Sequence, residues 1–152
     1  MKLLSPLTEN DERIILEAAA AVGVDSLLFR RVRSLSGGET QRVVTAMVMA
    51  QQPEIFLLDE PTSSLDPSHC VKIFGLLPEL ADAGKTVVIA AHDINAAAAY
   101  SDDYIAVKEG EIIASGSAGA IGSEILETLY GTNFFAYRSE GGDVVWHTRA
   151  ER

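Results

Sequence analysis

Apolar residues recur at helical spacing over Ile14, Ile15, Ala18, Ala19 and Val22, between the polar stretch Thr8-Glu9-Asn10-Asp11 and Gly23, and they predict a first helix. Thr8 and Asp11 stand three apart as a cap pair and mark its start. Ser26 to Arg33 reads as a short helical or irregular connection. A second helix begins at Ser36; its Val43, Val44, Ala46, Met47, Val48 and Ala50 are apolar on most sides, which predicts burial. Pro53 ends it.

Ile55 to Leu58 is an uninterrupted apolar run of strand length, the pattern of a central parallel strand covered on both faces. Asp59 and Glu60 fall at its carboxyl end. Asp66-Pro67 restarts a helix, since an N-cap acceptor followed by proline at the first helical position loses no needed amide. That helix runs toward Asp82-Ala83-Gly84, with Pro78 expected to kink or divide it. Thr86 to Ala91 repeats the buried-strand pattern, and His92-Asp93 again falls at its end, before an alanine-rich helix from Ile94 to Tyr100. Strand, helix, strand, helix predicts an α/β chain with a right-handed parallel arrangement. Tyr104 to Lys108 and Glu111 to Ala114 make a hairpin through Glu109-Gly110. Ser123 to Tyr130 is a weak terminal helix, and Val144-Val145-Trp146 a last strand after Gly141-Gly142.

Composition narrows the function. With 152 residues the chain fits one domain and can bury roughly 70% of its unfolded surface. Lys and Arg number 12 against 22 Asp and Glu, a net charge of −10, and no basic run is present, so no nucleic-acid partner is expected. Cys70 is the single cysteine and reads as a small apolar residue; no Cys/His cluster has zinc-ligand spacing. No apolar stretch approaches the roughly 18 residues of a membrane span. A cytoplasmic chain, at most docked to a membrane protein, is the expectation.

Chemistry concentrates in two places. In open α/β sheets ligands sit beyond the carboxyl ends of the strands, where Asp59, Glu60 and His92 land. At Ser36-Gly37-Gly38-Glu39 a capping box stabilises the helix start, and two consecutive glycines let backbone amides approach an anion where the helix dipole already favours negative charge. Gly84-Lys85-Thr86 ends like a phosphate-binding loop, but Glu79 stands where the first glycine belongs and a strand follows where a helix is needed, so it reads as a helix C-cap. His69 and His147 have no partner motif and read as surface residues; Trp146 reads as a packing aromatic.

Leu35-Ser36-Gly37-Gly38-Glu39-Thr40-Gln41-Arg42, followed by Ile55-Phe56-Leu57-Leu58-Asp59-Glu60-Pro61, resembles the second half of an ATP-binding cassette (ABC) ATPase. The likeness runs from about Thr8 to Ser117, and its expected fold is the C-terminal part of a P-loop NTPase, with parallel strands, flanking helices and a remnant of the helical subdomain. It divides the chain into 1–34, that remnant; 35–118, the ATPase core; and 119–152, a C-terminal extension. By resemblance, Asp59 holds Mg²⁺ through water, Glu60 takes the proton of the attacking water, and His92 contacts the γ-phosphate. Leu35, Ser36, Gly37, Gly38, Glu39 and Gln41 form the ATP-contacting signature, and Ser64 and Asp66 belong to the D-loop Ser63-Ser64-Leu65-Asp66. Glu39 replaces the commoner glutamine, and Met47 stands where arginine is usual.

No Gly-x-x-x-x-Gly-Lys-Ser/Thr loop occurs in these 152 residues. The family's adenine-stacking aromatic and glutamine loop are likewise missing. Family cassettes pair head to tail, so Ser36, Gly37, Gly38 and Asp66 would serve a partner's nucleotide, whereas Asp59, Glu60 and His92 belong to the chain's own site. The implied partners are a second cassette and a transmembrane permease, and the implied ligands ATP and Mg²⁺. Three readings stand: a fragment or truncated product of an importer ATPase, for iron–siderophore, haem or cobalamin; a non-hydrolysing partner half; or an ABC-type ATPase of DNA repair or chromosome maintenance. The acidic charge and the lack of coiled-coil heptads speak against the last.

Overall fold

The computed structural model describes residues 6–142 and 144–148, in two compact units that meet in the chain between Ala90 and Ala91. In the first, α1 (Glu9–Ala21) starts where predicted: the Thr8 hydroxyl accepts the Asp11 amide at 3.2 Å, and the Asp11 carboxylate accepts the Thr8 amide at 2.8 Å. Gly23, at φ +68°, turns the chain so that its own amide and that of Val24 return to the carbonyls of Ala20 and Ala19. Two short 3₁₀ turns, Asp25–Leu27 and Val32–Ser34, make up the irregular connection.

Next come α2 (Gly37–Ala50), β1 (Ile55–Asp59), α3 (Pro67–Asp82) and β2 (Thr86–Ala90). The strands pair in parallel, from Ile55 opposite Thr86 to Asp59 opposite Ala90, with α3 as the crossover between them. Ala19, Val22, Val24, Ala46 and Ile73 form the buried centre, where α1, α2 and α3 meet. At 1% exposure, Ile73 is the side chain whose truncation to Ala removes most packing there, about 2–5 kcal/mol.

Three expectations need correction. The second helix is not buried all round, since only Ala46 is fully covered while Met47 is 60% exposed. Its stripe Val43, Ala46 and Met49, at spacings of three, is the part that faces the other helices. Nor is β1 covered on both faces: Phe56 is 2% exposed but Leu57 is 74% exposed. Alternate strand residues point to opposite sides, and α2 and α3 cover the side carrying Phe56 and Leu58 through Thr45, Met49, Ile73 and Leu77. Ile55, Leu57 and Val88 stay exposed on the other. Finally, Pro78 does not divide α3. Ile73, Phe74 and Leu77 bury one continuous face next to the proline, and that packing outweighs a missing amide.

In the second unit Asp93 caps α4 (Ile94–Tyr100), its carboxylate accepting the amides of Asn95 at 3.0 Å and Ala96 at 3.1 Å. The predicted hairpin is β3 (Asp103–Lys108) and β4 (Glu111–Ser117). Glu109 and Gly110 both have positive φ, as a two-residue turn matching strand twist requires, and a bulge interrupts the ladder between Ala106 and Val107. Then follow α5 (Ser123–Tyr130), β5 (Phe134–Arg138) and β6 (Val144–Thr148), the last two antiparallel. The sequence pattern does not single out β5. Leu126, Phe134 and Trp146 form this unit's core, so Trp146 packs as expected. Asn95 ties the core to its helix: its side chain donates to the Trp146 carbonyl at 3.2 Å and accepts the Trp146 amide at 2.7 Å.

Candidate functional site

Ser36 sits at the N-cap of α2 with extended backbone; its hydroxyl accepts the Glu39 amide at 3.2 Å, and its amide donates to Glu39 Oε2 at 2.8 Å. The predicted capping box is therefore formed. Arg30 reaches the other Glu39 oxygen at 3.1 Å and donates to the Ser34 carbonyl at 3.0 Å, which closes the loop before the helix over its first turn. The hydrogen bond from the Ser36 amide is the main cause that holds the Glu39 carboxyl below its usual range; the Ser36 hydroxyl and the charges of Arg30 and Arg42 add to it, against a raising effect of desolvation. Ser36 and Gly37 are exposed, and Leu35, Gly38 and Glu39 are half-buried. First-turn amides have no carbonyl one turn earlier to receive them, so the Gly37 and Gly38 amides add to the positive end of α2.

Gly38 has a packing reason as well. A Cβ there would lie 2.9 Å from the Ser64 carbonyl oxygen and 3.5 Å from Leu65. Only glycine allows the segment after β1 to press this close against α2. That segment begins at Asp59 and Glu60, both exposed. Glu60 has φ +43° and precedes Pro61, an uncommon conformation for a non-glycine residue that costs of order 1–3 kcal/mol. Its backbone is held from both sides. Its amide donates to the Ala90 carbonyl at 2.9 Å, while its carbonyl accepts the Ser63 amide at 3.2 Å and the Gln41 side chain at 2.8 Å. Pro61, buried, fixes the next turn.

Gln41 accepts the Ser64 amide at 3.2 Å through its other end. Asp66, at the N-cap of α3, is also committed within the chain. One oxygen accepts Ser68 Oγ at 2.7 Å, the Ser68 amide at 3.0 Å and the His69 amide at 3.2 Å; the other meets His69 Nδ1 at 2.7 Å. These bonds, from the Ser68 hydroxyl first and His69 next, hold the Asp66 carboxyl well below the carboxylate range. His69 is thus half-buried and paired, not a bare surface residue; aspartate three positions before histidine in a first helical turn was the signal for it. Cys70 is half-buried, with Sγ 3.7 Å from the carbonyls of Thr62 and Leu65.

The first unit therefore brings Gly38 and Gln41 of α2 against Glu60 and Ser64; Leu35, Ser36, Gly37, Glu39, Asp59 and Asp66 flank that contact along the chain. His92 lies exposed in the second unit, two residues beyond the end of β2 and next to the cap of α4. Gly84-Lys85-Thr86 behaves as a helix end, as expected: Gly84, at φ +82°, and Lys85 return their amides to Ala81 and Leu80, and Lys85 pairs with Glu54 at 2.9 Å. Among the described residues no cluster of three metal-ligating side chains occurs, and no helix is long and apolar enough to cross a membrane.

Solved structures share this architecture. A dimeric ATP-binding cassette in a post-hydrolysis state with ADP and Pi matches at TM-score 0.68 and 33% identity, over 77% of this chain and 51% of the other. A chain from an inward-facing ABC transporter matches at TM-score 0.80 over 98% of this chain and 61% of its own; its 24% identity speaks to fold alone. The fold is that of a P-loop NTPase, in its cassette form. A family profile described as ABC transporter matches residues 3–63. The ferric enterobactin transport ATP-binding protein of Escherichia coli K12 is 42% identical over 125 residues, which make up 81% of this chain and 46% of that protein. This chain belongs to the ABC transporter ATPases, and it spans about half the length of the curated relatives it matches.

Proposed function

We propose that the chain is part of an ATP-binding subunit of an importer, in which ATP hydrolysis drives uptake of an iron–siderophore or a related metal chelate such as haem or cobalamin. The observation that carries the reading is the joint between the head of α2 and the end of β1, where an exposed glycine-hinged helix start and two exposed carboxylates are tied through Gln41, Gly38 and Ser64. The E. coli relative is a ferric enterobactin transport protein, which supports an iron chelate as cargo. Residues 35–118 serve as the ATPase core, 1–34 as the remnant of the helical subdomain and 119–152 as the C-terminal extension.

The donor set suits Mg²⁺-ATP, because carboxylates recruit a hard cation while backbone amides at a helix start recruit phosphate. Asp59 would hold the metal through water; when bound, it neutralises charge on the phosphates. Glu60 is the general base: its backbone, fixed on both sides, aims a carboxylate that can accept the proton of an attacking water. His92 orients that water. Gly37 and Gly38 present their amides and Ser36 its hydroxyl to the nucleotide of a second cassette, packed head to tail; Leu35 and Glu39, whose amides are bonded within the chain, frame that helix start, and Ser64 and Asp66 complete the face. A permease is the remaining partner, and the chain works on the cytoplasmic side of the membrane.

The test is co-expression with a permease and a cassette half that supplies a phosphate loop, followed by ATP hydrolysis and chelate-uptake assays. Hydrolysis that requires this chain supports the reading, and none in any assembly removes it. Hydrolysis insensitive to Glu60→Gln in this chain would move it to the partner half that lends a face without hydrolysing.

A further inference from the structure

We propose that Gln41 is a positioning residue: its side-chain amide locks the Glu60 carbonyl and the Ser64 amide to α2, so that the carboxylates and the helix head move as one piece. A side-chain amide has one donor end and one acceptor end, and here both are used at once, Nε2 toward Glu60 at 2.8 Å and Oε1 from Ser64 at 3.2 Å. Only one orientation of the amide satisfies both.

Two further observations concern the same joint. Gly38, three residues before Gln41 and on the same helical face, brings α2 so close to Ser64 that a Cβ would sit 2.9 Å from its carbonyl oxygen. Ser64 is therefore gripped at its amide by Gln41 and at its carbonyl side by Gly38. Glu60 keeps a left-handed backbone before a proline, with its amide tied to Ala90 on one side and its carbonyl held on the other by the Gln41 side chain at 2.8 Å and, at the longer 3.2 Å, by the Ser63 amide. Releasing the Gln41 end lets the peptide between Glu60 and Pro61 relax and the Glu60 carboxylate lose its aim.

The functional consequence rests on the reading above, in which Glu60 serves the chain's own nucleotide while Ser36 to Gly38 and Ser64 serve the partner's. Gln41 then joins two half-sites that act on different nucleotides, and its side chain, beside the Gly38–Ser64 contact, is a link by which a change at one is passed to the other. With its amide engaged inside the chain, Gln41 does this without touching nucleotide.

Two variants test the proposal. Gln41→Met keeps the length but removes both bonds; Gln41→Glu keeps the shape but sets a carboxylate oxygen against the Glu60 carbonyl. In the 152-residue chain, exchange of the Ser64 amide should quicken about tenfold in both, with the amides of α1 and α3 unchanged. Unchanged Ser64 exchange overturns the latch, whatever the chain does. If one variant fails to fold by circular dichroism, the other decides, and Gln41→Asn, one methylene too short to span the gap, replaces it. In the assembled transporter, kcat should fall about tenfold and the Hill coefficient for ATP drop toward unity, with KM within about twofold. A raised KM with kcat spared would make Gln41 a nucleotide contact and defeat the proposal. An assembly without any ATPase refutes the function instead, and the exchange result still judges the latch.

Discussion

Two glycine-bearing helix ends in this chain carry similar residue types and do opposite work. At the head of α2, Ser36-Gly37-Gly38 opens a helix, and Gly38 is required because Ser64 lies where its Cβ would be. At the foot of α3, Gly84-Lys85-Thr86 closes a helix; Gly84 has nothing within 4 Å of a Cβ and is required for its positive φ alone. The first glycine makes a joint between elements, the second a turn within the chain. A lysine beside a glycine does not make an anion site when the helix presents its carbonyl end there, since that end of the dipole is negative.

The strongest way to break this comparison is through activity. In a reconstituted assembly that hydrolyses ATP, Glu60→Gln should reduce turnover by ~10²-fold while nucleotide binding is spared, because the general base is gone and the backbone joint remains. Lys85→Met should leave turnover within about twofold. A large loss from Lys85→Met measured by steady-state kinetics, or none from Glu60→Gln, would reverse the roles of the two ends.

The joint was legible in the sequence only as two separate patterns. Ser36 and Glu39, three apart, announced the capping box, and Asp59-Glu60 after an apolar run announced the strand end. Both formed as read. What local pattern could not carry was the contact across 23 positions from Gln41 to Ser64, because nothing about a glutamine inside a helix says which backbone its amide will meet. Burial was misjudged for a similar reason. Ile55 to Leu58 is apolar at every position, so the run itself cannot tell which face a helix will cover; packing against α2 and α3 chose Phe56 and left Leu57 outside. The strand β5 escaped because Phe134-Phe135-Ala136-Tyr137-Arg138 has no clean alternation, and its existence depends on pairing with β6.

Stability measurements sharpen the contrast between the glycines. Gly38→Ala should destabilise the chain by up to about 3 kcal/mol in urea unfolding, because the atom its new methyl would strike is the Ser64 backbone carbonyl oxygen, which cannot rotate away. Gly84→Ala should cost less, about 1 kcal/mol, since only backbone strain opposes it. Gly84→Asn, which tolerates the left-handed region, should recover part of that loss, whereas Gly38→Asn should be as harmful as Gly38→Ala or worse. Equal responses of both sites to asparagine would show that the close approach at Gly38 is not what requires glycine.

The smallest expected effect concerns the cap itself. Ser36→Ala should cost about 1 kcal/mol, the usual worth of an N-cap hydroxyl. Glu39, the other half of the box, makes its share depend on pH. Its ordinary pKa is 4.5 and folding lowers it, chiefly through the Ser36 amide, so the unfolded chain binds this proton more readily than the folded one. The stabilisation is therefore complete above about pH 4.5 and fades as pH falls through the lower folded value. Comparison with Glu39→Gln isolates it: glutamine keeps an acceptor for the Ser36 amide but has no proton to gain, and the lowered carboxyls of Asp11, Glu54 and Asp66 are common to both chains. The wild-type chain should be slightly the more stable at neutral pH, and the difference should shrink below pH 4.5 in parallel urea titrations. A difference that stays constant down to the acid limit would mean that Glu39 holds the helix start by shape rather than by charge.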